Sequence, residues 1–266
     1  MRFSIERRDM INDLIASLLA GIILNPAIPV YGVAERQVTV VVRGKPQVVH
    51  LYGPASGPPV LVASGDGGWV HLGVHVAEVL GGKGYFVVGV DSKAYLSSFT
   101  GKDLHLTISD VPRDFRLFID EAQRGKSGRV LLFGVSEGAG LSILAASDPD
   151  VGKRIEGIIG FGLPNQNEIG WHFFDSIIWL THKSPNEPSF LVADFIPKLG
   201  PIPLAEIHST RDEYVPVNEA KQLMSLPGGP KKMWIIDAEN HRFSNNLVEL
   251  NRRLEEAIQW IKAQRH

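Results

Sequence analysis

Apolar positions along the chain fall into short, nearly unbroken runs separated by stretches of helical spacing. Pro59–Ser64 (PVLVAS), Tyr85–Asp91 (YFVVGVD), Arg129–Phe133 (RVLLF) and Ile155–Gly162 are apolar segments of strand length. Such runs predict strands covered on both faces, as in a parallel sheet. Leu204–Ser209 and Lys232–Asp237 continue the series. Gln37–Val42 and Gln47–Tyr52 instead flank Arg43-Gly-Lys-Pro46, which predicts a hairpin. Between the strands, His71–Gly81, Leu104–Ala122, Gly138–Ala146 and Asn245–Lys262 read as helices, with Asp110 and Pro112 placed to open a second segment inside Leu104–Ala122. Strand and helix alternating after a hairpin predict an α/β fold with a mostly parallel central sheet and helices on both faces.

Two segments break this rhythm. Leu14–Leu24 is uncharged and apolar but short for a membrane span, with Arg2, Arg7 and Arg8 before it and Gly32-Val33-Ala34 after it. Residues 1–34 therefore resemble a secretory signal, which implies a periplasmic or secreted protein. Glu6, Asp9 and Asp13 offset the arginines, so an uncleaved apolar helix in a cytoplasmic or membrane-associated protein is the alternative. The second segment, about residues 165–200, is rich in proline and aromatics, including Trp171, Phe174 and Phe195, and fits neither a short loop nor one helix. It is expected to form a lid within a single domain spanning residues 35–266.

Composition narrows the chemistry. Lys plus Arg (27) nearly balances Asp plus Glu (29), so no global basic field exists to hold a nucleic acid. Cysteine is absent, which excludes disulfides, thiolate nucleophiles and Cys-based metal sites. The nucleophile then has to be an oxygen.

Gly134-Val-Ser136-Glu-Gly138 matches the G-x-S-x-G nucleophile elbow, a strand-to-helix turn that exposes its serine. The motif alone is weak in a glycine-rich chain, and a helix-capping serine is the alternative. Its context strengthens it, because RVLLF precedes it and GAGLSILAA follows it. A serine hydroxyl needs a base, and the base an orienting acid, expected in the order Ser, acid, His after later strands. Asp212 follows the strand ending at Ser209, and His241 follows the last strand. His241 is the expected base and Asp212 its acid, with Glu213 and Asp237 as fallbacks. The other histidines, His208 among them, read as structural, without a topologically placed carboxylate. No catalytic metal and no cofactor are expected. The oxyanion donors are expected at the Glu137 N–H and in the loop Ser64-Gly-Asp-Gly-Gly-Trp69, Asp66 N–H first and Gly67 second. Trp69, Trp171 and Phe174 are candidates for contact with substrate. The Asp66 and Glu137 carboxylates either face the acyl pocket, where they favour a cationic acyl group, or turn to solvent or to basic neighbours.

Ser64-Gly-Asp-Gly-Gly-Trp69, Gly89-Val-Asp-Ser92 with Tyr95, the elbow at Ser136 and Asn240-His-Arg-Phe243 together resemble the bacterial virulence proteins VirJ and AcvB. The resemblance runs from about Val60 to the carboxyl end. It implies an exported α/β-hydrolase with Ser136, Asp212 and His241 as its triad. It also implies ester hydrolysis, with aminoacyl-phosphatidylglycerol the substrate associated with the AcvB-like members, and it leaves room for peripheral contact with a membrane surface. Val135 and Glu137 differ from the aromatic and Phe that usually flank the family's serine. Ser209-x-x-Asp212-x-x-Val215-Pro216 is closer to dienelactone hydrolases and general esterases, so small soluble esters are the alternative substrates. A non-catalytic envelope binding protein of the same fold is the alternative in a different class.

Overall fold

In the computed structural model, which describes residues 33–101, 104–171 and 188–264, the predicted strands form one eight-stranded sheet. Strands β1 (Arg36–Val42) and β2 (Lys45–Tyr52) make the hairpin, closed by Arg43 and Gly44 at positive φ, as a two-residue turn of matching twist requires. Next come β3 (Pro59–Ala63), helix α1 (Leu72–Gly82), β4 (Phe86–Val90), α2 (Ser92–Ser98), α3 (Asp110–Gln123), β5 (Val130–Val135), α4 (Glu137–Ala146), the single turn α5 (Pro149–Gly152) and β6 (Ile155–Phe161). A small antiparallel pair, β7 (Gln166–Glu168) with β8 (Ser189–Leu191), precedes β9 (Leu204–Ser209), α6 (Val217–Ser225), β10 (Lys231–Ile236) and α7 (Leu247–Ala263).

The sheet runs β1-β2-β4-β3-β5-β6-β9-β10, and every pairing from β4 to β10 is parallel. Alternating side chains divide the core in two, as a two-residue period dictates. Leu61, Leu132 and Ile158 face α2, α3 and α4, whereas Val60, Val62, Phe133 and Ile207 face α1 and α7. The order reverses at β3, whose neighbours are β4 and β5. In open sheets of this kind ligands bind beyond the carboxyl ends of the strands at such a reversal. Ser64 and Ser136 directly follow the two strands that meet there.

The helix expected over Leu104–Ala122 begins only at Asp110. The Asp110 carboxylate turns back to accept from the Thr107 N–H and hydroxyl, which holds residues 107–109 in a turn before the helix. Helix α2 is an addition to the predicted elements, capped by Asp91, whose Oδ1 accepts the Ala94 N–H at 2.9 Å. In the insert, Phe190 and Phe195 pack edge to face at 5.7 Å and are buried on the α4 side of the sheet with Ile196 and Leu199. Both described ends of the insert therefore belong to the core. Its middle, with Phe174, and the signal-like residues 1–32 lie outside the described residues. No described helix is long and apolar enough to cross a membrane.

Candidate active site

Ser136 occupies the sharp turn between β5 and α4 at φ 50°, ψ −117°, a region that non-glycine residues rarely adopt and that must be enforced by surrounding packing. The flanking glycines permit the turn. A Cβ on Gly134 would lie 2.3 Å from Ala139 Cα, and one on Gly138 would lie 2.3 Å from the Ser64 carbonyl oxygen. Glu137 opens α4, and as the first helical residue its N–H has no acceptor within the helix. The amide end of α4 and its positive dipole thus lie at the serine.

The glycine loop after β3 reaches the same place. Ser64 Oγ accepts the Ser92 N–H at 3.1 Å and donates to the Gly65 carbonyl at 3.2 Å, which ties the loop to the start of α2. Gly65 passes so close to the elbow that a Cβ there would lie 3.4 Å from Ser136 Cβ. The Gly68 N–H returns to the Gly65 carbonyl at 3.1 Å, closing a turn with Asp66 and Gly67 exposed at its tip. Trp69 leaves in another direction. Its ring stacks on His50 at 4.8 Å, donates Nε1–H to the Tyr52 hydroxyl at 3.3 Å and fills the space over Gly89, so it packs against β2 and β4. Trp171 lies under the Lys93 ammonium, 4.3 Å from the ring centre, and donates its backbone N–H to Thr100.

His241 and Asp212 meet beyond β10 and β9. His241 Nδ1 lies 2.6 Å from Asp212 Oδ2, and both side chains are buried. Asp212 Oδ1 accepts the N–H groups of Tyr214 at 3.0 Å and Val215 at 2.8 Å. Burial alone would raise the Asp212 pKa, but the His241 ring and these two amides hold it below the ordinary carboxylate range. Glu213, a fallback acid, accepts the His241 backbone N–H at 2.7 Å. Asp237, the other, pairs with Arg211 at 3.2 Å. Neither is bonded to the ring.

The ring reaches the serine side through Gly162. Ser136 N–H donates to the Phe161 carbonyl at 2.9 Å, and the next residue, Gly162 at φ 60°, carries the imidazole against its α-carbon. A Cβ there would lie 2.3 Å from His241 Cε1 and 2.6 Å from Nδ1. His241 Nε2 is buried with no hydrogen-bond partner among the described residues, Ser136 included. Such bonds are commonly open before substrate arrives.

The structure revises two expectations about charge. The Glu137 carboxyl is not free at the elbow. Its carboxyl accepts the Glu168 N–H on β7, and burial, with Glu168 and Asp66 nearby, pushes its pKa well above the ordinary 4.5. His208 and His50 do have carboxylate partners: His208 lies 3.0 Å from Glu206 and 3.9 Å from Asp212, and His50 lies 2.8 Å from Glu35. No cluster of three or more His, Asp and Glu among the described residues is arranged to hold a metal ion.

Glu137 has a direct consequence for stability. An acid whose folded pKa is raised loses stability as pH climbs from its unfolded value through its folded one. Glu137→Gln keeps an oxygen acceptor for the Glu168 N–H and removes the titration. Its melting temperature is expected to be close to wild type below the ordinary glutamate pKa and to exceed it increasingly as pH rises above that value. Thermal melts on both sides of that value check this, and a constant difference would contradict it.

Residues 59–167 match the family of bacterial virulence protein VirJ. The VirJ match covers the glycine loop, the elbow and the start of the insert, and ends before Asp212 and His241. It bears out the resemblance read from the Ser64–Trp69 loop and the elbow. No curated protein matches the sequence. Solved structures with a similar fold include naproxen esterase from Bacillus subtilis (TM-score 0.66, 12% identity, covering 85% of this chain and 92% of that one). Another is a membrane phospholipase A described as a bacterial virulence factor (0.64, 14%, covering 97% and 99%). A third is Est1E from Butyrivibrio proteoclasticus (0.62, 15%, covering 85% and 99%). These likenesses show that the chain has the α/β-hydrolase fold.

Proposed function

We propose that the protein is a serine hydrolase of carboxylic esters, with Ser136 as nucleophile, His241 as base and Asp212 as orienting acid. One observation carries this reading: the buried His241–Asp212 pair is delivered, through Gly162, to the residue whose neighbour bonds the backbone of the strained elbow serine. Asp212, kept ionised, accepts from Nδ1 and so leaves the Nε2 lone pair free for the serine proton. Ser136 Oγ forms a bond to the acyl carbon as its proton passes to Nε2. The Glu137 N–H and one amide from the Asp66–Gly67 tip hold the oxyanion. The carbon–oxygen bond to the alcohol then breaks, and Nε2 returns the proton to the departing oxygen. Water attacks the acyl-enzyme by the same route, giving the carboxylic acid and free Ser136.

Within this reading, aminoacyl-phospholipid esters are the favoured substrates. The VirJ match supports it, as does the shared fold with a protein named a membrane phospholipase A. With the Glu137 carboxyl turned to the Glu168 amide, the Asp66 carboxylate at the oxyanion loop is the charge offered to a cationic acyl group. Asp66→Asn is expected to lower kcat/KM for a lysyl ester by about tenfold while changing a neutral ester of similar size little, a difference that shrinks at high salt. Equal losses for both esters would sink the acyl-charge argument. The substrate class itself is tested by comparing lysyl-phosphatidylglycerol, plain phosphatidylglycerol and a short p-nitrophenyl ester. Preferred turnover of the first supports the reading. Preferred turnover of the short ester favours the general esterase, to which the Ser209–Pro216 segment points.

A further inference from the structure

Beneath the His241–Asp212 pair lie two ionisable side chains that the reaction above does not use. Glu206 and His208 are both fully buried and, two residues apart on β9, point to the same side of the sheet. Glu206 Oε1 meets His208 Nδ1 at 3.0 Å. The other ring nitrogen, Nε2, lies 2.9 Å from the Val215 carbonyl oxygen and 3.9 Å from Asp212 Oδ2.

The partners favour one placement of the protons. A carbonyl oxygen only accepts, so Nε2 carries a proton. Glu206 Oε1 also accepts the Leu163 N–H at 3.0 Å, and as a carboxylate it takes a second hydrogen bond from Nδ1. A histidine that donates from both ring nitrogens is an imidazolium. Burial works against the charge, but Glu206 and then Asp212, the two carboxylates that bracket the ring, raise the His208 pKa above the ordinary histidine value. Glu206 Oε2 remains buried and unpartnered among the described residues, wedged where a Cβ on Gly160 would approach within 2.5 Å. A buried ion pair with an unsatisfied oxygen is a poor device for stability alone.

We infer that Glu206 and His208 form a buried ion pair whose role is to position the His241–Asp212 couple and to set its charge. Both tasks rest on the reading of that couple given above. For position, Glu206 holds the Leu163 amide, one residue beyond the Gly162 on which the His241 ring rests, and His208 holds the Val215 carbonyl in the loop that carries Asp212. For charge, the His208 imidazolium offsets Glu206 and faces Asp212. The four side chains carry one net negative charge while His241 is neutral, and none when His241 holds the serine proton. Glu206 and His208 are thus positioning residues.

The test is the pH profile of kcat/KM with the full chain, combined with nitrogen NMR of the imidazoles. His208→Gln retains a side-chain N–H for Val215 and loses the charge. With Asp212 less offset, the acid limb is expected to move up by about half a pH unit or more. At neutral pH, kcat/KM should fall about tenfold with KM near wild type. A purely structural role would lower activity with the limb in place, and that result overturns the inference. In the wild-type protein, where no variant has to fold, the His208 ring is expected to show two protonated nitrogens at neutral pH. In Glu206→Gln it is expected to titrate at lower pH than in wild type. A neutral wild-type His208, or an unchanged titration in Glu206→Gln, also overturns it. If Ser136→Ala keeps wild-type hydrolysis, the proposed reaction fails, while the NMR still decides the charge of the pair. If hydrolysis depends on Ser136 and the limb stays put in His208→Gln, the inference fails alone.

Discussion

Ser136→Ala is expected to lower ester hydrolysis by about 10⁴-fold or more, with substrate binding and stability close to wild type. The size follows from the mechanism. Without Oγ the proposed acyl-enzyme cannot form, and the proposed base and oxyanion amides would retain only a weak capacity to direct water. Alanine at the elbow keeps the positive φ that serine already tolerates, so no refolding cost is added. Steady-state kinetics with an ester of short acyl chain, alongside thermal melts, checks this. A loss of less than tenfold would show that another residue supplies the nucleophile.

Gly162→Ala should damage the site nearly as much, without touching a reacting atom. The added methyl would lie 2.3 Å from His241 Cε1, 2.6 Å from Nδ1 and 3.0 Å from Asp212 Oδ2. These are less than contact distance, and φ 60° adds strain of about 1–2 kcal/mol for any L side chain. The imidazole has to swing off the glycine, away from the position the proposed reaction requires. The expected result is a fall in kcat/KM of about 10³-fold with a stability loss of only about 1–3 kcal/mol. Gly44→Ala is the matched control. It too has positive φ, at 79°, but open space around it, so it should lose a little stability and no activity. Activity retained in Gly162→Ala would mean that the His241–Asp212 pair is not held where the proposed reaction needs it.

The sheet was legible because strands buried on both faces are mostly apolar, as β3, β4 and β5 are throughout and β6 is apart from Glu156. The elbow was legible because only glycine fits at 134 and 138, so the sequence has to show it. Asp212 and His241 were found from chain order rather than from neighbouring residues, since the fold brings them together from loops 29 positions apart. Side-chain direction was not legible. Trp69 adjoins the glycine loop in sequence yet packs over Gly89, because removing that glycine's side chain creates a slot for the ring. The Glu137 carboxyl turned to an amide on β7, a partner that exists only once the insert folds. The Glu206–His208 pair left a trace: polar residues at alternate positions of Leu-Ala-Glu-Ile-His-Ser, in a strand interior to the sheet. Two-residue periodicity applied to an otherwise buried strand would have placed both on one face and beside each other.

The proposed reaction requires Ser136 to be a nucleophile activated by His241. A fluorophosphonate probe followed by intact-mass analysis and peptide mapping reads this directly. The expected result is a single adduct on Ser136, absent in Ser136→Ala and formed far more slowly in His241→Gln. No adduct on the folded wild-type protein, or one that persists in Ser136→Ala, would contradict it.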